Sequence, residues 1–387
     1  MTGTAMQKQQ QQLPTLMKGL TLDQFVTGQD KEEAPYKLKH DLKVPSCSAD
    51  EVVIHIAVAA VCHTDGMVVR GEFEHMMRSG LPLIPSHEPT GIVAAIGERA
   101  AKNFADSPGA GGAGPLKIGD RVGSLAFKDF CGECEDCKAG KPRYCENQDM
   151  CGVTANGGLA EYMAADYRSV VRLPDEVSFE AAAPLFCAGA TIFAAIRACD
   201  LKAGQRIAIV GAGALGHLGV QFAKCLGLHT IVVDARDAPL ELCKDLKYPP
   251  DEILNAKDVD VKRPETVKKA IESIGGHADA VVLATDTIPA CEFSLELTKK
   301  HGLFMVVGQP NLPIPVPFHH LVFRDVTIKG SLLGDPADVS EMLKVIADKG
   351  IEVKTKSYPL EKIHDLLTDY SKPGHAGKLV VRVSDHQ

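Results

Sequence analysis

Val210-Gly-Ala-Gly-Ala-Leu-Gly216 lies between a β-branched run, Arg206-Ile-Ala-Ile-Val210, and an apolar set at helical spacing, Leu215, Leu218, Phe222 and Leu226. A bare glycine pattern of this kind is a weak signal. Between a strand and a helix it gains a mechanism: the glycines permit a tight turn and bring backbone N–H groups close to a pyrophosphate at the helix N-terminus. Asp234 then closes the next apolar run, Val232-Val-Asp-Ala235. A carboxylate at that distance binds the adenosine ribose hydroxyls of NAD and repels the 2′-phosphate of NADP. Gly211, Gly213, Ala214, Leu215, Gly216 and Asp234 are therefore candidate coenzyme-binding residues.

Downstream, the same grammar repeats. Thr230-Ile-Val-Val233, Ala280-Val-Val-Leu283 and Leu303-Phe-Met-Val-Val307 read as strands alternating with helices, the pattern of a parallel α/β sheet, and Val307 closes the last of them beside the coenzyme site. Upstream, from about Glu51 to Ala126, short β-like runs broken by turns predict a compact, mostly β domain: Val52–Val58, Gly91–Ile96 and Lys117–Val122. The glycine- and proline-rich stretch Ala101–Pro115 reads as a surface loop. No internal repeat is apparent.

The 387 residues suffice for two domains, and a hydrophobic fraction of 45% with 24% charged residues is that of a globular protein. No apolar run reaches the length of a membrane span. A net charge of −8 gives no basic footprint, so neither nucleic acid nor an anionic membrane is an expected partner. Residues 1–19, with their glutamine run, read as a disordered tail without the marks of a signal or transit peptide. Twelve cysteines without an export signal point to a reducing, cytoplasmic compartment, where thiols serve metals, catalysis or cores.

Four of those thiols, Cys131, Cys134, Cys137 and Cys145, stand with gaps of two, two and seven residues, spacing that lets the chain fold back around one zinc ion and leave no open position. An iron–sulfur cluster is the rival reading. It has less support because no proline follows the fourth cysteine and the surrounding chain carries the lysines of an exposed lobe. A more dispersed set is Cys62-His-Thr-Asp65, Ser86-His-Glu88 and Cys187. Singly, each residue reads better as a buried thiol or a satisfied histidine. Together, Cys62, His87 and Cys187 are the ligand set of a catalytic zinc with an open fourth position, and Asp65 could accept the ring N–H of His87.

With these motifs in this order, the sequence from about Gly19 to Val383 resembles the zinc-dependent medium-chain alcohol dehydrogenases, especially their microbial tetrameric branch. The resemblance implies a GroES-like mostly-β catalytic domain, residues 20–185 with a return at 331–387. It also implies an inserted Rossmann NAD-binding domain, a doubly wound parallel sheet, at 186–330. It implies two zinc ions per subunit, one catalytic and one structural, a homotetramer, and a small alcohol or aldehyde as substrate. Residue by residue, Cys62, His87 and Cys187 match the catalytic ligands, and Glu88 a glutamate that can approach the metal. Thr64 matches the hydroxyl that receives the alcohol proton and His63 a pyrophosphate contact. Thr191 matches a neighbour of the nicotinamide, and Lys378 stands where an arginine usually meets the pyrophosphate. The apolar run Val316–Ile328 looks like the edge strand through which coenzyme domains pair.

The sequence departs from that pattern in three places. Met67 stands where a histidine usually ends the proton relay. Beyond Asp234, Pro239 lies near the position of a ribose-binding lysine, leaving Arg236 to substitute or to tolerate NADP. The chain has no tryptophan to narrow the alcohol pocket; Phe73, Ala126 and Phe127 occupy those neighbourhoods. The alternatives are an NADP-linked reductase of larger or aromatic aldehydes and, from another class, a non-catalytic zinc scaffold. The intact ligand set argues against the scaffold.

Overall fold

The computed structural model describes residues 13–26, 35–372 and 374–385. Six strands form one wholly parallel sheet in the spatial order Glu252–Asn255, His229–Asp234, Arg206–Val210, Ala278–Leu283, Thr298–Val306 and Thr327–Gly330. Numbered along the chain this order is 3-2-1-4-5-6, the doubly wound arrangement, and the strand order reverses between Arg206–Val210 and Ala278–Leu283. Strands buried on both faces need continuous apolar runs, and Ile207, Ala208, Ile209, Val281 and Val282 have no exposed surface.

A second, mixed sheet holds the strands Glu51–Val61, Glu88–Ile96, Arg121–Ser124, Val170–Arg172 and Tyr162–Asp166. Two late strands, Thr355–Pro359 and Lys378–Arg382, complete it. The last pairs antiparallel with Glu51–Val61, setting Leu379 opposite Val61. Lys378 thereby arrives beside the turn that follows Val61.

The helix Ala188–Ala198 joins the two sheets. Its Phe193 and Ile196 share one buried cluster with Val171 of the mixed sheet and Leu173 just beyond it, with Ile207 and Ile209 of the parallel sheet, and with Leu218 and Phe222 of the helix Gly216–Cys225. The apolar contact on both sides fixes the N-terminus of this helix, where Cys187 sits.

Three expectations need correction. Residues 1–12 of the proposed tail lie outside the described residues, but Leu16–Leu22 is a strand whose Met17 is buried with Ile84 and Ala160. The stretch Ala101–Pro115 is more than a surface loop. Short helical turns run through it, because Phe104 and Ala110 are buried in the catalytic-domain core. Within Val316–Ile328, Phe318–Val322 is helical, and the edge strand is the shorter Thr327–Gly330. A short apolar run does not reveal its period, and this one buries only His320 of its helix.

Candidate active site

Cys62 ends the strand Glu51–Val61 and caps the helix His63–Val69. Its thiol accepts the Thr64 N–H at 3.3 Å, and its own N–H donates to Asp65 Oδ2 at 2.8 Å. The reciprocal cap fixes both side chains. The other Asp65 oxygen accepts the Ser86 N–H at 3.2 Å and lies 3.7 Å from His87 Nδ1. Ser86 takes a left-handed φ of 73°, and its hydroxyl donates to Ala60 O at 2.7 Å. That kink turns His87 toward Cys62, with His87 Nε2 3.2 Å from Cys62 Sγ.

Cys187 enters from the other side, at the start of the helix Ala188–Ala198. The ligand atoms of Cys62, His87, Glu88 and Cys187 all lie within 4.8 Å of one another. A hydrogen bond from Cys187, opposed by burial and aided by the charge on His87, holds the Cys62 thiol well below its usual range. Burial works against protonation of His87, but the Cys62 thiolate and the Asp65 carboxylate outweigh it and push the ring above its ordinary value.

Glu88 and Lys378 form a pair deep in the catalytic domain. Lys378 Nζ donates to Glu88 Oε1 at 2.8 Å and to Val61 O at 3.2 Å, and both side chains are almost fully enclosed. Burial drives the Glu88 carboxyl up to about 7 against the pull of Lys378. Lys378 is therefore turned inward on Glu88, and the sequence carried no signal for a partner 290 positions away.

These residues fit a zinc ion. Two buried polar atoms at the site have no hydrogen-bond partner, His87 Nδ1 and Glu88 Oε2. The first faces Asp65, which leaves Nε2 on the side of the two thiols; the second leaves a free carboxylate oxygen within the same group of ligand atoms. Soft thiolates with one imidazole suit zinc.

The second cysteine group lies in the segment between the strands Phe127–Lys128 and Asp149–Met150. Cys131 and Cys137 sulfurs are 3.9 Å apart and Cys145 and Cys131 sulfurs 3.6 Å. Tetrahedral zinc with metal–sulfur bonds of about 2.3 Å has edges of about 3.8 Å. Backbone N–H groups of Glu133 and Cys134 donate to the Cys131 sulfur and lower its thiol to about 6. A third grouping, Glu296, His319 and His320, differs in kind. The Arg324 guanidinium already bonds His320 Nδ1 at 2.8 Å and lies 3.6 Å from Glu296, so a cation fills that role.

The coenzyme candidates meet at the reversal in strand order. Gly211 has φ 106°, and a Cβ there would lie 2.8 Å from Ala284 O; a Cβ on Gly216 would lie 2.0 Å from Gly211 O. Only glycine permits this close turn. Asp234 Oδ2 accepts the Ala212 N–H at 2.9 Å, tying the second strand to the loop. Ala214 and Leu215 complete the turn into the helix Gly216–Cys225, and Val307 follows the strand Thr298–Val306, its N–H bonded to Leu283 O at 3.1 Å. Thr191 stands one helical turn beyond Cys187, its N–H on Cys187 O at 2.9 Å. His63, half exposed, faces Asp286 at 3.6 Å, a carboxylate that no motif pointed to. Met67 is buried on the helix that carries Thr64, Phe73 packs on the catalytic-domain core, and Ala126 and Phe127 are buried.

Fold and site together define a two-domain dehydrogenase class, a GroES-like domain joined to a Rossmann-type domain. Residues 48–175 match the family model of the alcohol dehydrogenase GroES-like domain, and residues 214–348 match that of the zinc-binding dehydrogenases. An alcohol dehydrogenase of Geobacillus stearothermophilus is 35% identical over 95% of this chain and 100% of its own length. One from Moraxella sp. (strain TAE123) is 31% identical over 88% of this chain and 94% of its own. The crystal structure of the alcohol dehydrogenase from Aeropyrum pernix superposes with a TM-score of 0.79 at 26% identity, covering 94% of this chain and 99% of that one. The chain belongs to the zinc-dependent medium-chain alcohol dehydrogenase family.

Proposed function

We propose that the protein oxidises a primary alcohol, or in places a secondary one, reversibly to the aldehyde or ketone, with NAD as coenzyme and two zinc ions per subunit. The observation that carries this reading is the convergence of Cys62, His87 and Cys187, with His87 Nε2 directed to the thiols. Cys62, His87 and Cys187, with Glu88 in reach, would hold the catalytic zinc; Cys131, Cys134, Cys137 and Cys145 would hold the structural one. When bound, zinc supplies Lewis acidity toward the alcohol oxygen and the nicotinamide supplies the hydride acceptor.

The chain's own part is to position, exclude water and move a proton. The Asp65 carboxylate faces His87 Nδ1 at 3.7 Å, so its charge favours the proton on that nitrogen and leaves Nε2 toward the thiols. Thr64, two residues beyond the Cys62 cap, offers its hydroxyl to the alcohol proton. Thr191 and Val307 would flank the nicotinamide, and His63 with the Gly211–Gly216 turn would hold the pyrophosphate. The buried Lys378 sets Glu88 by a direct bond, and beyond its bonds to Glu88 and Val61 it keeps one N–H.

A cytoplasmic location suits a site built on reduced thiols. Pairing of coenzyme domains into a dimer of dimers is supported by the apolar surface beside the edge strand, where Phe318, Val322 and Phe323 are 67%, 67% and 70% exposed. Among the described residues no single helix is long and apolar enough to cross a membrane.

The test is NAD reduction by a series of primary alcohols, with metal content measured on the same preparation. Two zinc ions per chain and turnover lost in Cys187→Ala are expected. Full turnover in that variant, or native protein that carries no metal and reduces no coenzyme, would overturn the reading.

A further inference from the structure

Asp234, the acid expected at the adenosine ribose, is already occupied in this structure. Its carboxylate accepts four N–H groups: Ala212 N and Arg236 Nη2 on Oδ2, each at 2.9 Å, and Arg236 N and Nε on Oδ1 at 2.9 and 3.0 Å. A carboxylate has about four acceptor sites, so this one is saturated. Its charge is also matched, because the guanidinium grips both oxygens. A ribose hydroxyl therefore meets an acid that already has a partner.

Arg236 is bound on one side only. Its side chain is 48% exposed where that of Asp234 is 7% exposed. Nη2 lies 3.6 Å from the point where a Cβ on Gly213 would stand, so the guanidinium overhangs the glycine turn. Of its five side-chain N–H groups two are spent on Asp234, leaving three. Asp286 is the other carboxylate that acts on Arg236, and it stands 3.6 Å from His63.

We propose that Arg236, by neutralising Asp234 and presenting its free N–H groups over the glycine turn, makes the adenosine-ribose subsite accept a 2′-phosphate, so that the enzyme uses NADP as well as NAD. The inference rests on the dehydrogenase reading above and refines its coenzyme. The repulsion that normally excludes NADP needs an unpaired carboxylate. Here the nearest charge to an incoming phosphate is the guanidinium, whose planar fork matches phosphate oxygens. NAD binding requires only that Arg236 slide off one oxygen and let the ribose hydroxyls take its place.

Calorimetric titration of the zinc-loaded protein with adenosine 2′,5′-bisphosphate and with 5′-AMP separates this subsite from turnover, and kcat/KM for NADP and NAD follows on the same samples. The native protein should bind the bisphosphate at least as tightly as AMP and use both coenzymes within about tenfold of each other. In Arg236→Ala the ratio of bisphosphate to AMP affinity should fall by about tenfold to a hundredfold, as the bared Asp234 repels the phosphate, and Arg236→Lys should fall between. A native preference for AMP of about a hundredfold or more, or an unchanged ratio in Arg236→Ala, would overturn the proposal and leave the dehydrogenase reading standing. Binding of neither nucleotide would overturn both.

Discussion

Replacing Lys378 with Met removes one member of a buried ion pair while keeping the length of the side chain. The pair is 2.8 Å apart, with side chains 2% and 0% exposed, so solvent does little to screen the loss. Breaking such a pair leaves an uncompensated buried charge and costs about 3–5 kcal/mol. The variant has one escape, which is to protonate Glu88, and this makes the cost depend on pH. Burial already holds that carboxyl up to about 7 with the lysine present, and removing Lys378, which lowers it, moves it higher. A carboxyl whose folded pKa lies above its unfolded value, about 4.3, contributes stability that is full below the unfolded value and lost as pH rises toward the folded one. In the native protein that loss ends near 7; in the variant it continues. The difference between the two should be small near pH 6 and grow above neutrality by at most about 1.4 kcal/mol per pH unit, reaching about 3 kcal/mol near pH 9. Urea unfolding of native protein and Lys378→Met, both with the metal of the Cys62, His87 and Cys187 site removed, at these pH values, following the catalytic-domain transition, measures it. Lys378→Arg keeps the charge and should show much less of the rise. A penalty equal at all pH values would mean that Glu88 stays ionised without its lysine, and the argument would fail.

Cys134→Ala should lower thermal stability and remove one metal ion per chain, because a closed four-thiolate site contributes folding energy; metal analysis beside a melting curve would refute this by showing two ions and an unchanged midpoint. Gly216→Ala forces a Cβ to within 2.0 Å of Gly211 O, so coenzyme affinity should fall by about tenfold or more while both metals stay bound; native affinity in calorimetry would show that the turn can yield. Met67→His tests the proton route, since a thioether is at best a weak acceptor. Alcohol oxidation should rise near neutral pH, by up to about a hundredfold, and change little near pH 9. Equal effects at both pH values would place the native relay elsewhere.

The doubly wound sheet could be read from sequence because its signals are local. A strand, three glycines, a helix and a carboxylate at the end of the next strand all fall between Arg206 and Asp234, and each residue acts on its neighbours. The cysteine lobe was legible for the same reason, with four thiols inside fifteen residues. Cys62, His87 and Cys187 were legible as a zinc ligand set by residue type, and the family match added their roles, but nothing in their spacing says that they meet. What brings them together is pairing across the mixed sheet and the apolar burial of the helix Ala188–Ala198 between two cores. Tertiary structure alone joined Lys378 to Glu88, through the register of the final strand against Glu51–Val61, and set Asp286 opposite His63. It also decided that Phe318–Val322 is a helix, where an apolar run of that length fits either period. Local chemistry is written in adjacent residues; a buried ion pair is written in two distant positions whose meeting depends on every strand between them.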